Sequence, residues 1–205
     1  MRLIMINTIV FDIGNVLAHF RWKEYLAECG YTEEMQHKIS KATVLSSRWH
    51  ELDRGVMDEA ELIAACGKEE PSVEKEILKL FEDTSALVQE YDYSSDLLRR
   101  LKKNGYRIYL LSNYAKFSFA YAKEYFKFLN YVDGGVISYQ VKCIKPEANI
   151  YHILIERYGI QPENAVFLDD LSANLEGAKP FGFQTIQVKS YAQTVADLRL
   201  LGVRI

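Results

Sequence analysis

The chain has 205 residues, 49% of them hydrophobic and 26% charged, with 25 basic and 28 acidic side chains and a formal net charge of −3. This is the balance of an ordinary globular protein, large enough for one domain with an insertion, and it argues against a general nucleic-acid or anionic-membrane surface. Cys29, Cys66 and Cys143 form no CxxC pair and no apolar run approaches the ~18 residues that span a bilayer, so reduced thiols and a cytoplasmic location are expected.

The first apolar run, Thr8–Phe11, has strand length and stops at Asp12. The start of the chain, broken by Arg2 and Asn7, is too short and polar for a signal peptide. Helical signals follow. Trp22–Cys29 stops at Gly30, and Thr32–Thr43 opens on an N-cap threonine. Asp58–Cys66 has Asp58 at its N-cap, Glu61 three residues on and Gly67 behind it, and Ser72–Phe81 starts after Pro71.

From Ser94 onward strands and helices alternate. The helix Ser94–Lys103 shows Leu97, Leu98 and Leu101 on one face and ends at Asn104-Gly105. Tyr106–Leu111 reads as a strand, Tyr114–Phe128 as a helix, Gly135–Ser138 as a strand and Glu147–Tyr158 as a helix closed by Gly159. Ala165–Leu168 and Phe183–Val188 complete five predicted strands, the former ending at Asp169-Asp170. Such alternation predicts an α/β fold with a mostly parallel, doubly wound sheet. A strand–helix–strand crossover takes about 30 residues, far fewer than separate Asp12 from Ser112. The excess predicts a helical cap over residues 19–90, inserted into a core formed by 1–18 and 91–205.

Two strands that end in aspartates place carboxylates at the carboxyl edge of a sheet, where open α/β folds bind ligands. Asp12, Asp169 and Asp170 brought together require a cation, and oxygen donors select a hard one such as Mg2+. The expected chemistry is magnesium-dependent phosphoryl transfer. Two further segments stand at helpful places: Ser112-Asn113 after the second core strand and Lys145-Pro146 before a helix.

In this order, Asp12-Ile13-Gly14-Asn15-Val16, Ser112-Asn113, Lys145-Pro146 and Leu168-Asp169-Asp170 with Asn174 beyond resemble the four motifs of the haloacid dehalogenase (HAD) superfamily. Within it they look most like bacterial α-glucose-1-phosphate phosphatases and the phosphatase domain of soluble epoxide hydrolases. The resemblance implies a three-layer Rossmann-like core with an inserted helical cap. It also implies a phosphomonoester hydrolase in which Asp12 attacks phosphorus and forms an aspartyl phosphate. Asp12, the carbonyl of Gly14 and Asp170 would hold the metal, with Asp169 close by; Ser112, Asn113 and Lys145 would bind the phosphoryl oxygens. Asn174 is expected to orient Asp169 or its loop.

The sequence departs from the family pattern at Gly14, where most phosphatases of the superfamily carry the aspartate that acts as general acid. Such help is worth about 10²–10⁴-fold. Without it the protein is inactive, another group substitutes, or the substrate has an easy leaving group. The last option favours sugar phosphates of the hexose 1-phosphate kind. The stretch Ser47–Gly55, with Arg48 and Arg54, is expected to meet the sugar from the cap. The alternatives are a catalytically silent phosphate-binding regulatory protein and a dehalogenase in which Asp12 attacks carbon. The expected partner is a small phosphorylated metabolite, with no nucleic acid and no membrane, on a monomer or homodimer.

Overall fold

The computed structural model describes residues 5–82 and 84–205; the first four residues of the apolar start and residue 83 lie outside it. Strand β1 (Thr8–Phe11) is followed by the short β2 (Ala18–Phe20). Five helices come next: α1 (Trp22–Glu28), α2 (Glu33–Ala42), α3 (Ser47–Arg54), α4 (Glu59–Glu69) and α5 (Glu74–Glu82). Strand β3 (Val88–Glu90) then pairs antiparallel with β2. The remainder alternates: α6 (Ser94–Lys103), β4 (Arg107–Ser112), α7 (Lys116–Tyr125), β5 (Gly134–Ile137), α8 (Ser138–Val141) and α9 (Ala148–Tyr158). The chain ends with β6 (Ala165–Asp169), α10 (Ser172–Ala178), β7 (Gln184–Gln187) and α11 (Tyr191–Leu200).

The main sheet is parallel throughout, in the order β5-β4-β1-β6-β7. The chain builds outward from β1 to β5, then crosses back to place β6 on the other side of β1. The reversal makes the β1–β6 boundary a topological switch point, where diverging loops leave a crevice. Alternation along the strands fills both faces. Ile9, Phe11, Ile108, Leu110 and Leu168 pack with Leu97, Leu98 and Leu101 of α6, whereas Val10, Tyr109, Leu111 and Phe167 pack with Ile150, Tyr151 and Leu154 of α9. Strands buried on both sides read as continuous apolar runs, which is why the sequence displays them clearly.

The inserted helices form a cap with an apolar core of its own, including Leu26, Ile39, Trp49, Leu52, Leu62, Ile77 and Leu80. Its two connections to the sheet domain run side by side as β2 and β3, with Ala18 opposite Glu90 and Phe20 opposite Val88. The capping box at Asp58 and Glu61 is formed in full, with Glu61 N–H to Asp58 at 2.8 Å and Asp58 N–H to Glu61 at 3.0 Å.

Several elements differ from the sequence expectation. Helix α4 runs through Gly67 to Glu69, because Gly67 lies against Glu74, whose Cγ would sit 2.9 Å from an added Cβ. The predicted Tyr114–Phe128 helix is shorter; α7 covers Lys116–Tyr125, and Lys127–Tyr131 is a separate 3-10 turn. Ser47–Arg54 is a helix with only Trp49 and Leu52 buried, too few apolar positions to announce it.

Candidate active site

The register of β1 and β6 decides where the carboxylates go. Phe11 lies opposite Leu168, and the Asp12 N–H continues the ladder to Leu168 O at 2.9 Å. Asp12 and Asp169 therefore leave neighbouring strands at the same edge, with Asp170 one residue beyond. Oxygens of Asp12, Asp169 and Asp170 lie within 4.8 Å of one another. On the other flank Phe11 lies opposite Leu110, which brings Ser112 to that edge too.

Ser112 is buried and donates its hydroxyl to Asp12 Oδ1 at 2.6 Å. Lys145 Nζ bridges Asp12 Oδ1 at 2.9 Å and Asp169 Oδ2 at 2.6 Å. Both partners of Asp12 sit on Oδ1, so its two oxygens have different surroundings. Lys145 is itself placed by Asn113. The Asn113 amide oxygen accepts the Lys145 N–H at 2.7 Å, and its Nδ2 donates to Lys145 O at 3.0 Å. The Asn113 side chain thus braces the lysine's backbone.

Asp169 is fully occupied. Its oxygens accept Asn174 Nδ2 at 2.9 and 3.0 Å, the Leu171 N–H at 2.8 Å and the Lys145 ammonium. Asn174 is held in turn by Tyr151, whose hydroxyl donates to Asn174 O at 2.7 Å. Asp170 is less engaged and partly exposed, accepting Asn15 Nδ2 at 3.1 Å. Asn15 has φ 54°, a left-handed conformation asparagine tolerates, and its amide oxygen accepts the Phe20 N–H at 3.2 Å. Gly14 sits between Asp12 and Asn15, and a Cβ there would meet nothing within 4 Å.

The electrostatics follow from burial and from one lysine facing three carboxylates. Burial pushes the Asp12 carboxyl up to about 7, with Lys145 pulling it down and Asp169 pushing it further up. Burial opposes the Lys145 charge, but Asp12 and Asp169 outweigh it and hold the ammonium above its ordinary value. Asp170 is also raised, first by burial. A cluster of hard oxygen donors with this unbalanced negative charge fits a magnesium ion. Asp12, Asp170 and the Gly14 carbonyl are the groups that would hold it, with Asp169 behind them on Lys145 and Asn174.

The two arginines of the expected sugar-binding stretch are engaged elsewhere. Arg48 pairs with Glu69 within the cap. Arg54 reaches across to the sheet domain and forms a two-pronged bond with Glu147 at 2.6 and 2.7 Å.

A family model for haloacid dehalogenase-like hydrolases matches residues 6–182, from β1 through α10 with the cap between. The chain belongs to that family. This HAD-like hydrolase is 28% identical to the D-ribitol-5-phosphate phosphatase of Bacteroides thetaiotaomicron, over 96% of this chain and 98% of the relative. A shorter segment, 30% of this chain and 11% of the relative, is 41% identical to mouse bifunctional epoxide hydrolase 2. Its fold is similar to a HAD family enzyme from B. thetaiotaomicron solved in complex with magnesium and inorganic phosphate. The TM-score is 0.69 at 23% identity, over 92% of this chain and 98% of that one.

Two side-chain roles in the hydrolase's site escape a reading of the sequence. Asn15 looks like a turn residue until its bond to Asp170 is seen, although an asparagine beside a glycine does signal positive φ. Asn113 was expected at the phosphoryl group; its side chain has the bracing role described above.

Proposed function

We propose that this protein is a magnesium-dependent phosphatase acting on a small phosphorylated metabolite of the sugar-phosphate class. The observation that carries the reading is the Asp12–Ser112–Lys145–Asp169 network at the sheet's switch point, with Asp170 beside it. Supporting it are the family and a near full-length relative named for a polyol phosphate. Bound magnesium supplies positive charge to phosphoryl oxygens as negative charge shifts toward the leaving group.

The chain's own groups do the rest. Asp12 is held by Ser112 and Lys145, so its carboxylate is fixed for attack on phosphorus. The new Asp12–phosphorus bond forms as the phosphorus–oxygen bond to the leaving group breaks, with the electron pair passing to that oxygen. Ser112 and Lys145 are close enough to Asp12 to donate to a phosphoryl oxygen placed beside it. Water then attacks phosphorus, releases inorganic phosphate and regenerates the Asp12 carboxylate. Asp169 keeps Lys145 charged and in place, and Asn174 keeps Asp169 in place.

Gly14 bears on the preferred ester. It offers no proton to the departing oxygen, so the anomeric oxygen of a hexose 1-phosphate, which needs least help, makes the best leaving group. The test is phosphate release from a panel of sugar and polyol phosphates with magnesium, using Asp12→Asn as the control. The expected result is magnesium-dependent release that disappears in the variant, with 1-phosphates ahead of 6-phosphates. Release from no ester, or undiminished release by Asp12→Asn, overturns the reading; 6-phosphates ahead of 1-phosphates overturns only the substrate preference.

A further inference from the structure

Asp53 lies on the cap, yet it and the two residues after it are tied to the sheet domain. The backbone N–H of Ala115, in the loop that begins at Ser112, is near enough to the Asp53 carboxyl to pull its pKa down. The Asp53 backbone carbonyl accepts the Ser138 hydroxyl at 2.5 Å, and that same hydroxyl accepts the Tyr114 N–H at 2.9 Å. The next residue, Arg54, is clamped to Glu147, two residues beyond Lys145. The one after, Gly55, gives its carbonyl to Lys142 Nζ. Gly55 has φ 73° and is so close to α8 that an added Cβ would lie 2.9 Å from Tyr139 Cβ. The end of α3 is therefore seated at one position over the Ser112–Ala115 loop. These ties hold a carboxyl group from the cap above the core's catalytic edge.

The surroundings of that carboxyl are unusual for a helix-end aspartate. Although the residue keeps some exposure, burial raises its pKa to about 7; Asp12 pushes it up as well, while Lys145 and the Ala115 N–H pull it down. The Tyr114 hydroxyl, buried with no hydrogen-bond partner among the described residues, is pushed up by burial and by Asp53 and Asp12. The groups facing Asp53 are thus Asp12 and Lys145 from the core edge, Tyr114 from the loop, and Arg54 with Glu51 and Glu147 alongside. Several groups near Asp12 are committed to partners of their own. Lys145 is held charged, Asp169 is saturated with donors, and the Tyr151 proton is committed to Asn174.

We infer that Asp53 is the general acid and base of this site, supplying from the cap the proton that Gly14 cannot supply from the core. The inference rests on the phosphatase reading and leaves hexose 1-phosphates as the esters that depend least on the added proton. Protonated Asp53 gives its proton to the leaving oxygen as the phosphorus–oxygen bond breaks. The resulting carboxylate then takes a proton from the water that attacks the aspartyl phosphate, which returns Asp53 to its starting state. Alkyl phosphates, which leave poorly without a proton, depend on this step. An aryl ester such as p-nitrophenyl phosphate does not.

The experiment compares wild-type and Asp53→Asn protein, with magnesium, on glycerol 3-phosphate or ribitol 5-phosphate and on p-nitrophenyl phosphate. The expected loss in kcat/KM is about 10²–10⁴-fold on the alkyl ester and less than about threefold on the aryl ester. Wild-type activity on the alkyl ester falls as pH rises past about 7, and that limb is absent in Asp53→Asn. The double variant Asp53→Asn/Gly14→Asp regains at least about tenfold on the alkyl ester, since a side chain at position 14 meets open space. Equal losses on both esters, or no loss on the alkyl ester, overturn the assignment. So does a 13C carboxyl titration that finds Asp53 at an ordinary value near 4. Wild-type protein that hydrolyses neither ester refutes the phosphatase reading itself, whereas alkyl-ester activity unchanged in Asp53→Asn refutes only the role of Asp53.

Discussion

Lys145→Met tests the charge balance of the site in isolation from chemistry. Methionine keeps the length and apolar volume of the stem but removes the ammonium that bridges Asp12 and Asp169, two buried carboxylates. Removing one partner of a buried ion pair costs about 3–5 kcal/mol, because the remaining charge is left uncompensated. For a chain of this size each kcal/mol moves Tm by roughly 2–4 °C, so a fall of about 10 °C is expected near neutral pH. The loss should depend on pH with a definite sign. Without Lys145, burial and the charge of Asp169 are left to raise the Asp12 carboxyl unopposed in the folded state, so the native protein binds more protons than the unfolded one. The deficit then grows as pH rises from the ordinary carboxylate range and shrinks on acidification. Magnesium should restore part of it by supplying the missing charge. Thermal unfolding of both proteins at about pH 5.5 and about pH 8, with and without magnesium, reads all three effects. A deficit equal at both pH values and indifferent to magnesium would show that Lys145 acts by packing, and the electrostatic account would fail.

Two other variants probe the supports of the site. Asn15→Gly keeps the left-handed backbone at φ 54° but removes the amide that bonds Asp170. Loss of such an outer contact typically weakens a metal by about 10–100-fold, so the magnesium concentration for half-maximal activity should rise by at least about tenfold; an unchanged value would show that Asn15 does not orient Asp170. Gly55→Ala forces a Cβ into 2.9 Å contact with Tyr139 at φ 73°. Strain of this kind costs about 1–3 kcal/mol, so Tm should fall by roughly 5 °C, and alkyl-ester hydrolysis should drop more than aryl-ester hydrolysis as Asp53 loses its seat. A Tm equal to wild type would mean that the α3–α8 contact is loose.

The core was legible because its signals are local. Strands buried on both faces produce uninterrupted apolar runs, and Phe11-Asp12 and Leu168-Asp169 mark their own ends with a change from hydrocarbon to charge. The carboxylates and the lysine could therefore be singled out without coordinates, as could the insertion, from a crossover too long for one helix. Asn174 was visible by its place after the second acidic strand end. What the sequence could not reveal depends on partners distant along the chain. Arg54 looks like a free cation on the cap until Glu147, 93 residues on, is found across the joint. Asn113 looks like a turn residue until Lys145, 32 residues on, folds its backbone against it.

Asp53 shows the division most clearly. As a residue near the end of a short polar helix it has no periodicity, spacing or motif to mark it, and it stood in the expected sugar-facing stretch Ser47–Gly55 without a role of its own. Its character comes from desolvation and from the field of Asp12, 41 positions earlier in the sequence, and both arise only from the packing of the cap on the core. Sequence alone determined the fold class, the identity of the carboxylates and the absence of a side chain at Gly14, because those are properties of single residues and their near neighbours. Tertiary structure decided which charges face one another and how deeply, because burial and Coulomb interaction depend on distances the chain sets only after folding.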